Sequence, residues 1–124
     1  MSSNKFSLKS RLESFKFAFN GIWLLLNNEH NSRIHLLASL LAITLGFVLN
    51  INLLEWSLLI IVIGIVFLTE LLNTALETLA DIIEPEKNEK IRKTKDYAAA
   101  AVLISAIISL LVGGLIFIPK ILNS

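Results

Sequence analysis

The segments Ile34 to Leu54 and Tyr97 to Ile118 each run without a single Lys, Arg, Asp or Glu, and that feature constrains the fold more than any other. Each is long enough to form the ~20-residue helix that crosses a bilayer. Composition agrees: 55% of the 124 residues are hydrophobic and 17% charged, with a mean hydropathy of +0.73, where a soluble domain carries about a quarter charged residues. A third apolar run begins at Trp56 and is interrupted by Glu70. Its uncharged part, 56–69, is too short to cross alone, but helical patterning continues to Ile83, just before Glu84-Pro85, where the residue preceding proline is pushed out of the α region. A helix over 56–83 would be roughly 42 Å long at ~1.5 Å per residue, so its last turns should leave the hydrocarbon. The chain therefore reads as one all-α integral membrane domain, 1–124, with spans at about 34–54, 56–83 and 97–118.

Topology follows from the basic residues. Lys5, Lys9, Arg11, Lys16 and Arg33 precede the first span, and Lys87, Lys90, Arg92, Lys93 and Lys95 lie between the second and third, leaving only Lys120 elsewhere. The positive-inside rule then places the N-terminus and the 84–96 linker in the cytoplasm, and the 50–55 turn and C-terminus outside, as for a multi-pass membrane protein. Over 6–27, Leu8, Leu12, Phe15, Phe19, Ile22, Trp23 and Leu26 step by three and four, which predicts an amphipathic helix lying in the cytoplasmic interface. A helix buried in a soluble core would show the same pattern, but three spans leave no soluble domain for it to join.

Several chemistries are excluded at this stage. A formal net charge of +1 offers no basis for nucleic-acid binding, and the absence of cysteine removes disulfides, thiolate nucleophiles and Cys-ligated metals. The two histidines, His30 and His35, are not spaced as a zinc pair, so any metal ligands must be carboxylates, which suit Mg²⁺. Glu70, Asn73, Glu77 and Asp81 step by three, four and four and so form one stripe on a single helix, with Leu68, Leu72, Leu79 and Ile82 opposite. Near a membrane exit such a stripe could be no more than a solvated helix face, as Glu77 and Asp81 alone would allow. Glu70 and Asn73 lie deeper, where an ionisable group is costly and usually functional, and three acids on one face need a countercharge. Glu29 precedes the first span and Lys95-Asp96 precede the third, so both should meet the stripe at the same membrane face. Carboxylates, an amide and a lysine gathered there suit phosphoryl transfer from a Mg²⁺-bound nucleotide. The five glycines are scattered, with neither a Walker loop nor a kinase glycine-rich loop.

The run Glu70-Leu71-Leu72-Asn73-Thr74-Ala75-Leu76-Glu77, then Asp81, then Lys95-Asp96 backed by Ala98 to Ala101, resembles the signature of the prokaryotic diacylglycerol kinase family, which includes undecaprenol kinases. The resemblance spans nearly the whole chain, from the interfacial helix through Asn28-Glu29 and Arg33 to the third span. It implies a homotrimeric membrane enzyme that moves the γ-phosphate of ATP, with Mg²⁺, to a lipid hydroxyl: diacylglycerol giving phosphatidic acid, or alternatively undecaprenol. It further implies that Glu70 is the general base, that Glu29 and Glu77 ligate the metal, and that Asn73 orients the site. By the same resemblance Lys95 meets the polyphosphate, Asp96 with Phe17, Glu86, Lys87 and Asn88 contacts the nucleotide, and Ala99 lies with Glu70 against the lipid. Three positions depart from the usual pattern. Lys87-Asn88 replaces an aromatic-histidine pair, Phe17 lacks a hydroxyl, and Ser10 stands where an arginine is usual, with Arg11 beside it.

Two readings from other classes are weaker. An ion conduit would need polar residues through the outer half, where Trp56 to Leu68 offers only Ser57. A non-enzymatic membrane scaffold would use the small residues Ala98 to Ala101, Gly113 and Gly114 for helix packing, but leaves the acidic stripe unexplained.

Overall fold

The computed structural model describes residues 7–83 and 88–123. Four helices follow one another: α1 Leu8–Asn28, α2 His30–Val48, α3 Leu53–Ile83 and α4 Glu89–Leu122, with no strand among the described residues. The last three are long and apolar enough to cross a membrane.

α1 begins at Ser7, whose hydroxyl accepts a hydrogen bond from the Ser10 amide at 3.3 Å, the usual way a serine satisfies an orphan donor at a helix start. It is separated from α2 by one residue, Glu29, in extended conformation. Arg33, one turn into α2, reaches back to donate to the carbonyl of Leu26 at 2.8 Å and to that of Asn27. Those carbonyls have no partner within α1, so the guanidinium closes the α1 end and fixes the break that presents Glu29.

The first span departs from the sequence expectation. It ends at Val48 rather than Leu54, and α3 starts at Leu53 rather than Trp56. Local chemistry accounts for both. Asn50 takes a left-handed conformation, φ 52°, the Ile51 amide bonds back to the Gly46 carbonyl at 3.1 Å and the Asn50 amide to that of Phe47 at 3.4 Å. This is a Schellman stop with asparagine in the left-handed position. Asn52 then opens α3 through a reciprocal capping box, its side-chain oxygen accepting from the Glu55 amide at 2.8 Å while the Glu55 carboxylate accepts from the Asn52 amide at 3.0 Å.

α4 likewise runs beyond the expected 97–118, from Glu89 to Leu122. Asn88 caps it by accepting from the Lys90 and Ile91 amides at 2.9 and 3.3 Å. Pro119 lies inside the helix within its last turn, where the Asn123 amide bonds to the Pro119 carbonyl at 3.0 Å. A helix stands where one was expected at 6–27: α1, 8–28; Phe6 lies outside the described residues.

α3 packs chiefly against α4, and the two are fastened at three levels. At the end nearest the 49–52 turn, Glu55 pairs with Lys120 at 3.2 Å; midway, the Thr69 and Ser105 hydroxyls share a hydrogen bond of 2.8 Å; at the far end Asp81 pairs with Lys95 at 2.5 Å. The apolar core lies at the turn end, where Ile51, Leu59, Val62, Ile116 and Phe117 are buried together. Trp56 closes it from above Gly46, whose missing side chain makes the approach possible: a Cβ there would stand 2.7 Å from the indole ring.

Candidate functional site

The acidic stripe faces inward. Glu70 is 3% exposed, Asn73 and Glu77 are half-buried and Asp81 is exposed, while Leu68, Leu72, Leu79 and Ile82 on the opposite face are exposed. For a helix in water that pattern is inside out; for one in lipid it is the expected sense, with polar groups directed into protein. The solvated-face reading thus holds for Asp81 and fails for Glu70.

Asn73 donates its amide to the Glu77 carboxylate at 3.1 Å, one turn along the same helix. The carboxylates of Glu29, from the α1–α2 break, and of Glu77 stand within electrostatic reach of Glu70. Glu70 thus feels two further carboxylates, one from its own helix and one from the α1–α2 break. Two buried acceptors in this group, Glu70 Oε1 and Asn73 Oδ1, have no hydrogen-bond partner among the described residues, although buried polar atoms are nearly always paired. His35 Nε2 on α2 approaches Glu70 Oε1 to 3.3 Å, an ion-pair distance without the alignment of a hydrogen bond. Among the described residues, no three His, Asp or Glu side chains group tightly enough to hold a metal ion by themselves.

The other anticipated residues are placed less uniformly. Lys95 is held by Asp81, which brings a cation to the stripe one turn beyond Glu77. Asp96 is exposed and pairs with Arg92 at 3.3 Å, and Arg92 also holds Glu89. The side-chain oxygen of Asn88 is engaged in capping α4. Phe17 is 71% exposed on α1, and Ala99 is exposed on α4. Glu86 and Lys87 lie outside the described residues.

Sequence spacing missed His35. Its only signal was its rarity, a lone ionisable side chain inside an uncharged run, and the partner lies 35 positions away on another helix. Beyond His35, between α2, α3 and α4, lies an apolar cavity of about 340 Å³ that reaches from His35 and Ser39 to Leu59 and Phe117.

Comparison with known proteins covers most of the chain. Residues 16–117 match the model of the family described as prokaryotic diacylglycerol kinase. The chain is 38% identical over 109 residues to an undecaprenol kinase of Bacillus subtilis, covering 88% of this chain and 89% of that protein. It is 34% identical over 113 residues to a diacylglycerol kinase of Synechocystis, covering 90% of this chain and 65% of the relative. To the diacylglycerol kinase of Escherichia coli K12 it is 29% identical over 111 residues, 90% of this chain and 91% of the other. A buried carboxylate stripe on a membrane helix and a family match over most of the chain agree: this protein belongs to the prokaryotic diacylglycerol kinase family, membrane lipid kinases that are phosphotransferases with an alcohol acceptor.

Proposed function

We propose that this chain transfers the γ-phosphate of ATP to the hydroxyl of a membrane lipid, with Glu70 as the base that takes the hydroxyl proton. The observation that carries this reading is a carboxylate only 3% exposed on a membrane helix, with the carboxylates of Glu29 and Glu77 within its electrostatic reach. Glu70 is shielded from water yet shares a helix face with Glu77, set roughly 10 Å apart along the axis at ~1.5 Å per residue. An acceptor hydroxyl at the level of Glu70 can thus meet a phosphate held at the level of Glu77. The hydroxyl loses its proton to Glu70, its oxygen bonds to the γ-phosphorus, and the bond to the β-phosphate oxygen breaks, leaving ADP.

Glu29 and Glu77 fit a divalent cation. They offer hard oxygen donors with open positions that phosphate oxygens and water complete, as Mg²⁺ favours, and Asn73 Oδ1 is a buried acceptor with no hydrogen-bond partner. When bound, that ion neutralises charge on the polyphosphate. Asn73, by its bond to Glu77, holds that carboxylate in place. Lys95 leaves Asp81 for the polyphosphate as a point charge. Asp96, with Phe17, Asn88, Glu86 and Lys87, is assigned to the nucleotide, and Ala99 to the lipid. The site faces the cytoplasm of a bacterial inner membrane, because ATP is there and the basic residues flank that side.

The assembly proposed is a homotrimer. Leucines and isoleucines of α2, α3 and α4 are left exposed by the single chain, a surface on which neighbouring copies would pack. As acceptor, diacylglycerol giving phosphatidic acid is the first reading; undecaprenol is the second, favoured by the 38% identity to an undecaprenol kinase. The purified protein, given radiolabelled ATP and micelles containing either lipid, should label one of them strongly and the other weakly. Labelling of neither would rule out both acceptors, and sedimentation of the same preparation as a monomer would rule out the trimer.

A further inference from the structure

The polar environment of Glu70 is unbalanced. The carboxylates of Glu29 and Glu77 act on it repulsively and the imidazole of His35 attractively, and its Oε1 has no hydrogen-bond partner among the described residues. A glutamate side chain has three rotatable bonds, and a base must lie within hydrogen-bond reach of the proton it removes. Such a carboxylate needs an attractive partner to stay in one place. His35 Nε2 stands 3.3 Å from Oε1, with side-chain exposures of 25% for His35 and 4% for Glu70. The imidazole therefore lies between the buried carboxylate and the apolar cavity among α2, α3 and α4 that His35 also lines.

We propose that His35 is a positioning residue for the transfer step: from α2, its Nε2–H holds the Glu70 carboxylate in the orientation that meets the lipid hydroxyl. Both the Nε2–H tautomer and the imidazolium present a donor at that nitrogen, and a small rotation of the ring aligns it with Oε1. The contact also ties the rigid helix carrying the base to the helix that follows Glu29, so the base and one metal-binding carboxylate keep a fixed separation. Misplacement of a reacting group by about 1 Å can cost up to ~10²-fold in rate, which sets the scale of the effect. This inference rests on the assignment of Glu70 as base.

The test compares four proteins in the micellar assay: His35→Leu, His35→Gln, Glu70→Gln and the His35→Leu/Glu70→Gln double variant. Leucine keeps an apolar side chain suited to a membrane helix but offers no donor; glutamine places an amide N–H near the position of Nε2. His35→Leu should lower kcat about 10- to 100-fold with the KM for ATP unchanged, His35→Gln should recover most of that loss, and the double variant should be no slower than Glu70→Gln alone, because His35 acts only through the base. Wild-type kcat in His35→Leu, a His35→Gln as slow as His35→Leu, or a further loss in the double variant would each overturn the inference. A Glu70→Gln enzyme with wild-type kcat would instead overturn the base assignment, whatever His35 does.

Discussion

A carboxylate as enclosed as Glu70 costs several kcal/mol to keep charged away from water, and a chain keeps such a residue where its chemistry is used. The residues beside it differ in depth. Asn73 and Glu77 are half-buried and bonded to each other at 3.1 Å, close enough to the helix end to meet a water-soluble nucleotide. Replacing Glu77 by Gln keeps the shape and the hydrogen-bonding partner of Asn73 but removes the charge a divalent cation requires. Glu77→Gln should therefore raise the Mg²⁺ concentration needed for half-maximal activity while leaving the thermal stability close to that of the parent; an unchanged Mg²⁺ requirement would remove Glu77 from the metal site. The stripe itself was legible, because a period of three and four is a property of one helix and needs no tertiary information. The pairs His35–Glu70 and Asp81–Lys95 were not, since each joins residues on different helices whose relative rotation is set by packing.

Among the elements, α3 carries the acidic stripe and packs chiefly against α4, and the ends of both are set by short-range chemistry that a hydropathy average cannot resolve. Leu49 to Leu54 is as apolar as a span, yet Asn50 in the left-handed region and the Asn52–Glu55 capping box turn the chain there. An Asn-x-x-Glu signature stood in the sequence at 52–55, overshadowed by the surrounding leucines. The turn is then held by the fit of Gly46 against Trp56, with the Phe47 and Trp56 rings 4.8 Å apart. An alanine at 46 would force the indole or the helix to move, and overpacking of this kind costs about 1–3 kcal/mol. Gly46→Ala should lower the melting temperature in detergent, whereas Gly64→Ala, where nothing lies within 4 Å of the added carbon, should not. Equal stability of the two variants would show that the turn does not depend on this contact. The long reach of α4 below 97 was hidden for a different reason: its first two turns are charged, and only the Asn88 cap marks the helix start.

On the scale of the whole molecule, the three membrane helices bury only 11%, 22% and 17% of their most apolar windows within the chain. Leucines and isoleucines at positions such as 37, 41, 60, 68, 107 and 111 are exposed. Their surface is suited to acyl chains or to other copies of the same helices, whose association in lipid depends on close packing rather than on hydrophobic burial. The polar residues run the other way: basic side chains gather at one end, and the enclosed carboxylates lie beneath them. Under the proposed function, that polarity, cation-rich at the aqueous boundary and acidic just inside it, would suit a polyanionic nucleotide meeting a lipid headgroup that enters from the membrane side. The gathering of basic residues at one end was legible from charge distribution alone, whereas the number of chains in the assembly was not, because nothing in one sequence counts its neighbours. The measurement that bears most directly on this arrangement is the turnover of Glu70→Gln beside the parent enzyme, read as label passing from the γ-phosphate of ATP into extractable lipid. Loss of a general base lowers the rate by about 10²- to 10⁴-fold, so kcat should fall in that range while the KM for ATP stays where it was. Normal turnover by Glu70→Gln, or a loss confined to ATP binding, would mean that the enclosed carboxylate is not the base and that the proton leaves by another group.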